Sequence, residues 1–423
     1  SFSLYCPFSM CDFSCYLCQS WGRGNEGQLG TGKNINVQKI PSIINMTKKI
    51  AFYKIHGGEE YSGGITKLDG HLYTWGTGNM GQLGTISMTS ANSQNKKKND
   101  NIDSTKTPSS ASLSASTSCW TPRRVSGIRD YVLEISFGMT HSAALTRNGA
   151  LYTWGSGFYG KLGHGNLNNY WVPKIVNFFQ AKKITQISIS TYHSMAVDEE
   201  GNLYAWGRGD QRLGLGPIDQ DVMIPKRNDD LWSQNIVPVV ITAAENHNVI
   251  ISKKNGEVYS FGDGKYGKLG ISTRNDMKLN LVEVSSTNPA NVRDIDGEPL
   301  ELGELPDFAI QQGKVDIRSV SSYSNHSLAL SRDGILYSWG NGGSGRLATG
   351  TTKNHSTARM IESIQSQFNT ARVDNSNTEM QQNGDAGTGG GGEDEDIDNN
   401  EDDDDSASID RGDGSLRDLL QRV

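Results

Sequence analysis

The sequence predicts an all-β fold: a β-propeller of six to seven blades, each a three- or four-stranded antiparallel sheet, followed by a disordered acidic C-terminal tail. Three observations carry this reading. A short segment of an aromatic residue followed by spaced glycines occurs six times along the chain. Ahead of each later copy lie two apolar runs joined by a glycine-containing turn signal. Glycine itself is abundant, 49 of 423 residues, against a usual ~7%. No G-X-Y period accompanies it, so recurring turns explain it better than a collagen-like helix.

The first copy, WGRGNEGQLG (21–30), fits G-x-G-x-x-G, the spacing with which a Rossmann turn brings backbone against a pyrophosphate. The segment returns as WGTGNMGQLG (75–84), WGSGFYGKLG (154–163), FGDGKYGKLG (261–270) and, altered, WGNGGSGRLA (339–348). A further copy, WGRGDQRLGLG (206–216), reads as carrying Arg212 in place of the third glycine. The leading aromatics Trp21, Trp75, Trp154, Trp206, Phe261 and Trp339 are spaced by 54, 79, 52, 55 and 78 residues. The two long intervals are a unit of about 52–54 residues enlarged by roughly 25, as loop insertions enlarge a repeat. A dinucleotide fold uses its phosphate turn once, before a helix. Six copies, each running into Leu and polar turn residues, exclude it.

The rest of each unit explains the glycines. HSAALTRNGALYTWG (141–155), HNVIISKKNGEVYSFG (247–262) and HSLALSRDGILYSWG (326–340) each show two apolar runs around a turn pair. Asn148-Gly149, Asn255-Gly256, Asp333-Gly334 and Asp69-Gly70, with Glu200-Gly201 as a weaker version, suit a type I′ hairpin. Period-2 alternation places Tyr152 with Trp154, Tyr204 with Trp206, and Tyr337 with Trp339 on one face. A further strand-like run (VLEISFG, ITQISIS, PVVITAA, VDIRSVSS) precedes each hairpin. Such small sheets cannot bury both faces alone, and radial stacking covers each with the next. The aromatic then fills the gap between sheets, and Leu29, Leu83, Leu162, Leu213 and Leu269 plug the core after each turn.

Charge is unevenly placed. The formal total is −7, yet residues 393–405 (EDEDIDNNEDDDD) hold ten carboxylates and no base, leaving +3 for everything else. A nearly neutral body gives no electrostatic footprint for nucleic acid. Cys6, Cys11, Cys15 and Cys18 cluster at one end, Cys119 follows, and the remainder has none. That usage fits a reducing compartment, cytoplasmic or nuclear. The cluster has the number for a zinc site, but C-x₄-C-x₃-C-x₂-C leaves little chain to wrap a metal, so no metal site is expected. No apolar run is long enough for a membrane span, and the first stretch lacks the basic start of a secretory signal.

W-G-x-G-x-x-G-Q-L-G, preceded by G-x-x-H-S-x-A-L and D-G-x-L-Y, resembles the repeat of the regulator of chromosome condensation family. FGMTHSAALTRNGALYTWGSGFYGKLGHG (137–165) is nearly a whole unit of it. The resemblance covers about residues 21–365 and implies a β-propeller, seven-bladed in the best-known members. Here the sequence offers five complete units plus one split between the chain ends, so that terminal strands close the ring in a shared blade. The expected organisation is an irregular Cys-rich segment at 1–20 supplying strands of that closing blade, repeats at 21–370, and a tail at 371–423. Within the repeats, 86–118 reads as a disordered insertion and 284–313 as a long loop. The tail is Gly-rich, then acidic, and ends in a short helix over SLRDLLQRV.

His141, His193, His247 and His326 recur one per unit, with Tyr61 in the equivalent place of an earlier unit. Catalytic groups are not repeated around a ring, so these read as structural, each closing the loop before its strand by bonding backbone. In the family's nucleotide-exchange members, the resemblance implies, acids in this loop contact the GTPase. Here Glu59, Glu60 and Glu245 hold the matching places. The expected function is therefore a non-catalytic, protein-binding propeller resembling a guanine nucleotide exchange factor for a Ran-like small GTPase. The alternative is a general scaffold in ubiquitin, cytoskeletal or chromatin complexes. No cofactor is expected, and the acidic tail suits weak association with basic proteins such as histones. Only Trp120, Trp171 and Trp232 lie outside the repeat motif, too few for the clustered tryptophans of the family's ultraviolet-B photoreceptor branch.

Overall fold

In the computed structural model, residues 2–5, 18–45, 50–85, 118–253, 256–270, 277–283 and 315–361 are described. Cys6, Cys11 and Cys15, the insertion at 86–117, the loop at 284–314 and the tail from 362 lie outside them. The described chain is six antiparallel sheets laid down in sequence order. Sheet I holds β1 (Phe2–Tyr5), β2 (Gln19–Arg23) and β3 (Val37–Ile43). Sheet II holds β4 (Phe52–Gly57), β5 (Tyr61–Thr66), β6 (Leu72–Gly76) and β7 (Cys119–Arg124). Sheet III is β8 (Val132–Phe137), β9 (His141–Thr146), β10 (Leu151–Gly155) and β11 (Tyr170–Ile175). Sheet IV is β12 (Ile184–Ile189), β13 (His193–Asp198), β14 (Leu203–Gly207) and β15 (Val222–Arg227). Sheet V is β16 (Pro238–Ala243), β17 (His247–Ser252), β18 (Val258–Asp263) and β19 (Met277–Glu283). Sheet VI is β20 (Ile317–Tyr323), β21 (His326–Ser331), β22 (Leu336–Gly340) and β23 (His355–Met360).

The first strands of sheets II to VI lie side by side, β4 against β8, β8 against β12, β12 against β16, and β16 against β20. They are the innermost strands of a β-propeller, and the sheets radiate from them. Sheet I has three strands, and β2 carries its tryptophan segment, so the innermost place is the one unfilled among the described residues. Among the described residues the N-terminal strand does not join the last tryptophan segment in one sheet. β1 pairs with β2 in sheet I, and β23 pairs with β22 in sheet VI. Trp21, expected as an inter-sheet filler like the others, is only half-buried.

The interior consists of separate cores between neighbouring sheets. Between sheets III and IV, Leu145, Leu151, Phe179, Ile184, Ile187 and Ala196 close around Trp206. Trp75, Trp154, Trp206, Phe261 and Trp339 are each 0–1% exposed, and so are the plugs Leu162, Leu213, Leu269 and Leu347. Burial of the second strand on both faces follows from this geometry, since β9, β13 and β17 are buried at every residue.

The hairpins differ from the expected type. Asn148 keeps a negative-side φ, and only Gly149 is left-handed at φ 84°. Gly149 N–H donates to Thr146 O at 2.9 Å, and pairing resumes at Leu145 with Leu151. Five residues, Thr146 to Ala150, thus join the paired strands, with glycine needed at the end of the turn, where a two-residue type I′ turn needs both central residues at positive φ. Thr146 Oγ1 also bonds the Asn148 side chain, which holds Asn in place without a left-handed backbone.

Candidate functional site: the axial mouth and its belt

At the register level, the residue that starts each second strand sits opposite the glycine after the aromatic. His141 faces Gly155, His193 faces Gly207, His247 faces Gly262, His326 faces Gly340, and Tyr61 faces Gly76. Any side chain at Gly155 would bring a Cβ to 2.6 Å from Thr140 O and 2.8 Å from His141 Cα, at φ 100°. Glycine is there because two strands approach at a bulge. The last glycine of a copy meets the next sheet instead: a Cβ on Gly84 would lie 2.7 Å from Trp154 Nε1.

That indole is the tie between sheets. Trp154 Nε1 donates to Gln82 O at 2.9 Å, Trp75 Nε1 to Gln28 O at 2.9 Å, Trp206 Nε1 to Lys161 O at 2.9 Å, and Trp339 Nε1 to Lys268 O at 3.0 Å. The hydroxyl after the histidine joins it on the same carbonyl: Ser142 Oγ to Gln82 O at 2.7 Å, and Ser194 Oγ to Lys161 O at 2.8 Å. Sheet V departs. Phe261 has no N–H to give, and Asn248 Nδ2 reaches Arg212 O at 2.5 Å in its stead. Arg212 is therefore the counterpart of Gln82, Lys161 and Lys268. The fourth copy has lost one residue of its glycine turn, and Arg212 does not stand in for a glycine as the sequence suggested. Its neighbour Gly214 still supplies the left-handed turn, at φ 62°.

The rings of His141, His193 and His247 point to the next sheet, and the loop is closed by main chain. Gly138 N–H donates to His141 O at 3.0 Å, and Ser190 N–H to His193 O at 3.0 Å. The ring nitrogens make a belt: His141 Nε2 with Ser194 Oγ at 3.0 Å, His193 Nε2 with Asn248 Oδ1 at 2.6 Å, and His247 Nε2 with Ser327 Oγ at 2.8 Å. Tyr61 continues it, its hydroxyl donating to His141 O at 2.6 Å. The expected backbone bond of the ring is thus replaced by one to a side chain on the adjacent sheet. Burial, then the nearby Arg212, lowers His193 to about 4, although its Asn248 bond pulls the other way. Burial, then Lys268 and His326, lowers His247 to about 3. These rings are neutral at pH 7.

The loops between first and second strands converge on a cavity of about 320 Å³ at one end of the propeller axis, lined from sheets II to VI. Glu59, Met139, Tyr192, Glu245 and Tyr323 line it. Two of the three acids singled out in the sequence are therefore in one mouth. Glu60 is not among the lining residues, and it faces Arg23 with its Oε1 3.6 Å from Nη2. Partial burial, then the charges of Glu60 and Glu245, raise the Glu59 carboxyl above its ordinary value. Tyr323 is raised by burial first and then by Glu59 and Glu245. Ser324 Oγ donates to Glu245 Oε2 at 3.4 Å. Among the described residues neither Glu59 nor Glu245 has a cationic partner within ion-pair distance.

The lysine before two of the Leu plugs braces this mouth, a role the sequence reading missed. Lys161 Nζ spans sheets III and IV, donating to Thr140 Oγ1 at 2.8 Å and Thr191 O at 3.2 Å. Lys268 Nζ donates to Asp263 Oδ2 at 2.8 Å and Asn325 Oδ1 at 3.0 Å. Burial lowers Lys161 to about 8. The available signal was its regularity: Gln28, Gln82, Lys161, Lys268 and Arg346 are all polar at one register place. Tyr192 and Tyr323 gave no such signal, because their place in the loop varies in type. Among the described residues no His, Cys, Asp or Glu group is placed to hold a metal ion, and no helix is long and apolar enough to cross a membrane.

Comparison with known proteins agrees with this architecture. The model of the RCC1-like domain matches residues 17–297, and that of the regulator of chromosome condensation (RCC1) repeat matches residues 317–346. The chain is 26% identical over 357 residues to the E3 ubiquitin-protein ligase HERC2 of Mus musculus, a match covering 82% of this chain and 6% of that protein. It is 27% identical to the mitochondrial RCC1 domain-containing protein RUG3 of Arabidopsis thaliana, covering 82% of this chain and 70% of that one. The chain thus spans only a small part of the ligase it matches. Among solved structures, human WBSCR16 is similar with a TM-score of 0.63 at 18% identity, covering 81% of this chain and 76% of that one. Prp20p of Saccharomyces cerevisiae, described together with its binding to Gsp1p and histones, gives 0.57 at 21% identity, covering 82% and 73%. At these identities the structures speak for the fold.

Proposed function

The chain belongs to the family of RCC1-like domains, and from that premise we propose that it is a non-catalytic interaction propeller acting on a small GTPase of the Ran type, as a guanine nucleotide exchange factor-like protein. The observation that carries the reading is the mouth: loops of five sheets converge on one cavity in which, among the described residues, Glu59 and Glu245 have no cation within ion-pair distance. Exchange needs such a surface and no bond-making group, because it works by binding the nucleotide-free state of the GTPase better than the loaded one. Glu60, half-shielded by Arg23 at the rim, extends the acidic surface outward. Binding of Gsp1p by the similarly folded Prp20p supports this choice of partner class. The cytoplasm or nucleus is the place where we propose it acts, and the acidic residues 393–405 give it a means of weak attraction to histone-like proteins.

The test is release of fluorescent GDP from Ran and related GTPases. Adding the 423-residue protein accelerates release, and Glu59→Gln, Glu60→Gln and Glu245→Gln each slow it. A panel of GTPases with no acceleration overturns exchange and leaves the scaffold reading.

A further inference from the structure

We infer that Tyr170 is a site of covalent modification, a phenol placed to react with an electrophilic sulfonyl group ahead of the tyrosine beside it, Tyr152. The inference stands apart from the axial mouth. Tyr170 opens β11, the outermost strand of sheet III, at the opposite edge from the innermost β8.

The hydrogen bonds come first. Lys174 Nζ donates to the Tyr170 hydroxyl at 2.7 Å, and Asn166 Nδ2 donates to it at 3.3 Å. The Asn166 amide is held that way round by its neighbours, since its Oδ1 accepts the Asn168 N–H at 3.0 Å and its Nδ2 also reaches His164 O at 3.2 Å. A phenol hydroxyl has one hydrogen to give and two places to accept. Here both acceptor places are taken, one of them by an ammonium, and no group among the described residues receives the hydroxyl's own hydrogen. That set of partners suits an oxyanion better than a neutral phenol.

The surroundings hold this arrangement in place. The Tyr170 ring packs against the core between sheets II and III. The His164 ring meets it edge-on with centroids 4.9 Å apart, and Thr153 Oγ1 holds His164 Nε2 at 3.0 Å. Burial, then Lys174, lowers His164 to about 4, so this neighbour is neutral at pH 7 and the charge facing the phenol is that of Lys174. Burial by itself raises Tyr170, yet the bonds from Lys174 and Asn166, the Lys174 charge and a bond from Asn168 together hold it below its ordinary value. Tyr152 supplies the contrast. It lies on β10 of the same sheet, half-buried against the same core, and burial, then Asp130, raises it.

A phenolate oxygen is a hard nucleophile, activated by whatever favours its charged form. It bonds to the sulfonyl sulfur, the bond from sulfur to the leaving group breaks, the leaving group departs with that electron pair, and the phenol's proton passes to solvent.

The experiment treats the 423-residue protein with benzenesulfonyl fluoride, whose leaving group is fluoride, across a pH series. Peptide mass spectrometry then reads the sulfonylated fraction of each tyrosine. Near neutral pH Tyr170 is labelled at least about threefold faster than Tyr152, and Lys174→Met slows it by at least about threefold, the reach of one partly exposed charged bond. Lys174→Met also moves the pH midpoint of Tyr170 labelling upward, which loss of a purely structural brace does not do. Asn166→Ala moves it the same way by less, and thermal melts check that both variants fold. Labelling of Tyr170 no faster than of Tyr152, or a rate and midpoint unchanged in both variants, overturns the proposal.

Discussion

The junctions between sheets III and IV and between sheets IV and V solve one problem in two ways. At the first, Trp206 Nε1 and Ser194 Oγ both donate to Lys161 O. At the second, Phe261 fills the same space with no donor, and Asn248 alone serves Arg212 O while its Oδ1 meets His193. The constant element is an acceptor carbonyl turned toward the next sheet, and the donors are interchangeable. The difference teaches that the aromatic segment is a mechanical tie whose chemistry is redundant at one junction and concentrated in a single side chain at the other.

The largest expected effect tests the shared part. Trp206→Ala removes a fully buried ring and is expected to lower unfolding free energy by about 3–5 kcal/mol in urea titrations; a loss within about 0.5 kcal/mol, the size of a surface change, breaks the picture of these residues as fillers between sheets. Asn248→Ala strands both the Arg212 carbonyl and His193 Nε2, at about 1–3 kcal/mol for each buried group left unpaired. Ser194→Ala is expected to cost less, about 1–3 kcal/mol for one stranded group, because it leaves only His141 Nε2 unpaired while Trp206 still serves Lys161 O. If the two alanine variants melt together, the claimed contrast between the junctions is wrong.

The smallest effect is in pH. His193 and His247 titrate near 4 and 3 when folded, below the ~6.5 of an unfolded chain. Between those values the unfolded state binds more protons, so stability is full above about pH 6.5 and declines as pH falls toward 4. From pH 7 to 6 the loss is roughly half a kcal/mol per buried histidine, read as a fall in Tm. His193→Asn flattens that slope, and a slope unchanged by the substitution assigns the pH dependence elsewhere.

Much of the fold could be read from the chain, because the repeat places a fully buried aromatic, a hairpin and a leucine plug at fixed intervals. The readings that failed share a cause. Copy four looked like a glycine replaced by Arg212, since a one-residue deletion shows only when Lys161 O and Arg212 O are seen to accept equivalent bonds. Asn148-Gly149 looked like a type I′ pair, since dipeptide identity does not say how many residues the strands leave unpaired. The histidine rings were placed on their own loops, since a bond to a residue 53 positions away, as from His141 to Ser194, leaves no local trace. At the site, Glu59 and Glu245 could be found by their place before the second strand, whereas Tyr192 and Tyr323 meet them only through closure of the ring.

A junction whose acceptor is main chain keeps its tie whichever side chain that residue carries. Gln82, Lys161 and Arg212 hold the same post while differing in charge and reach. The main-chain tie thus tolerates Gln, Lys or Arg there, and Lys161 adds to it a side-chain bond to the next sheet, a second fastening that a shorter residue would forgo.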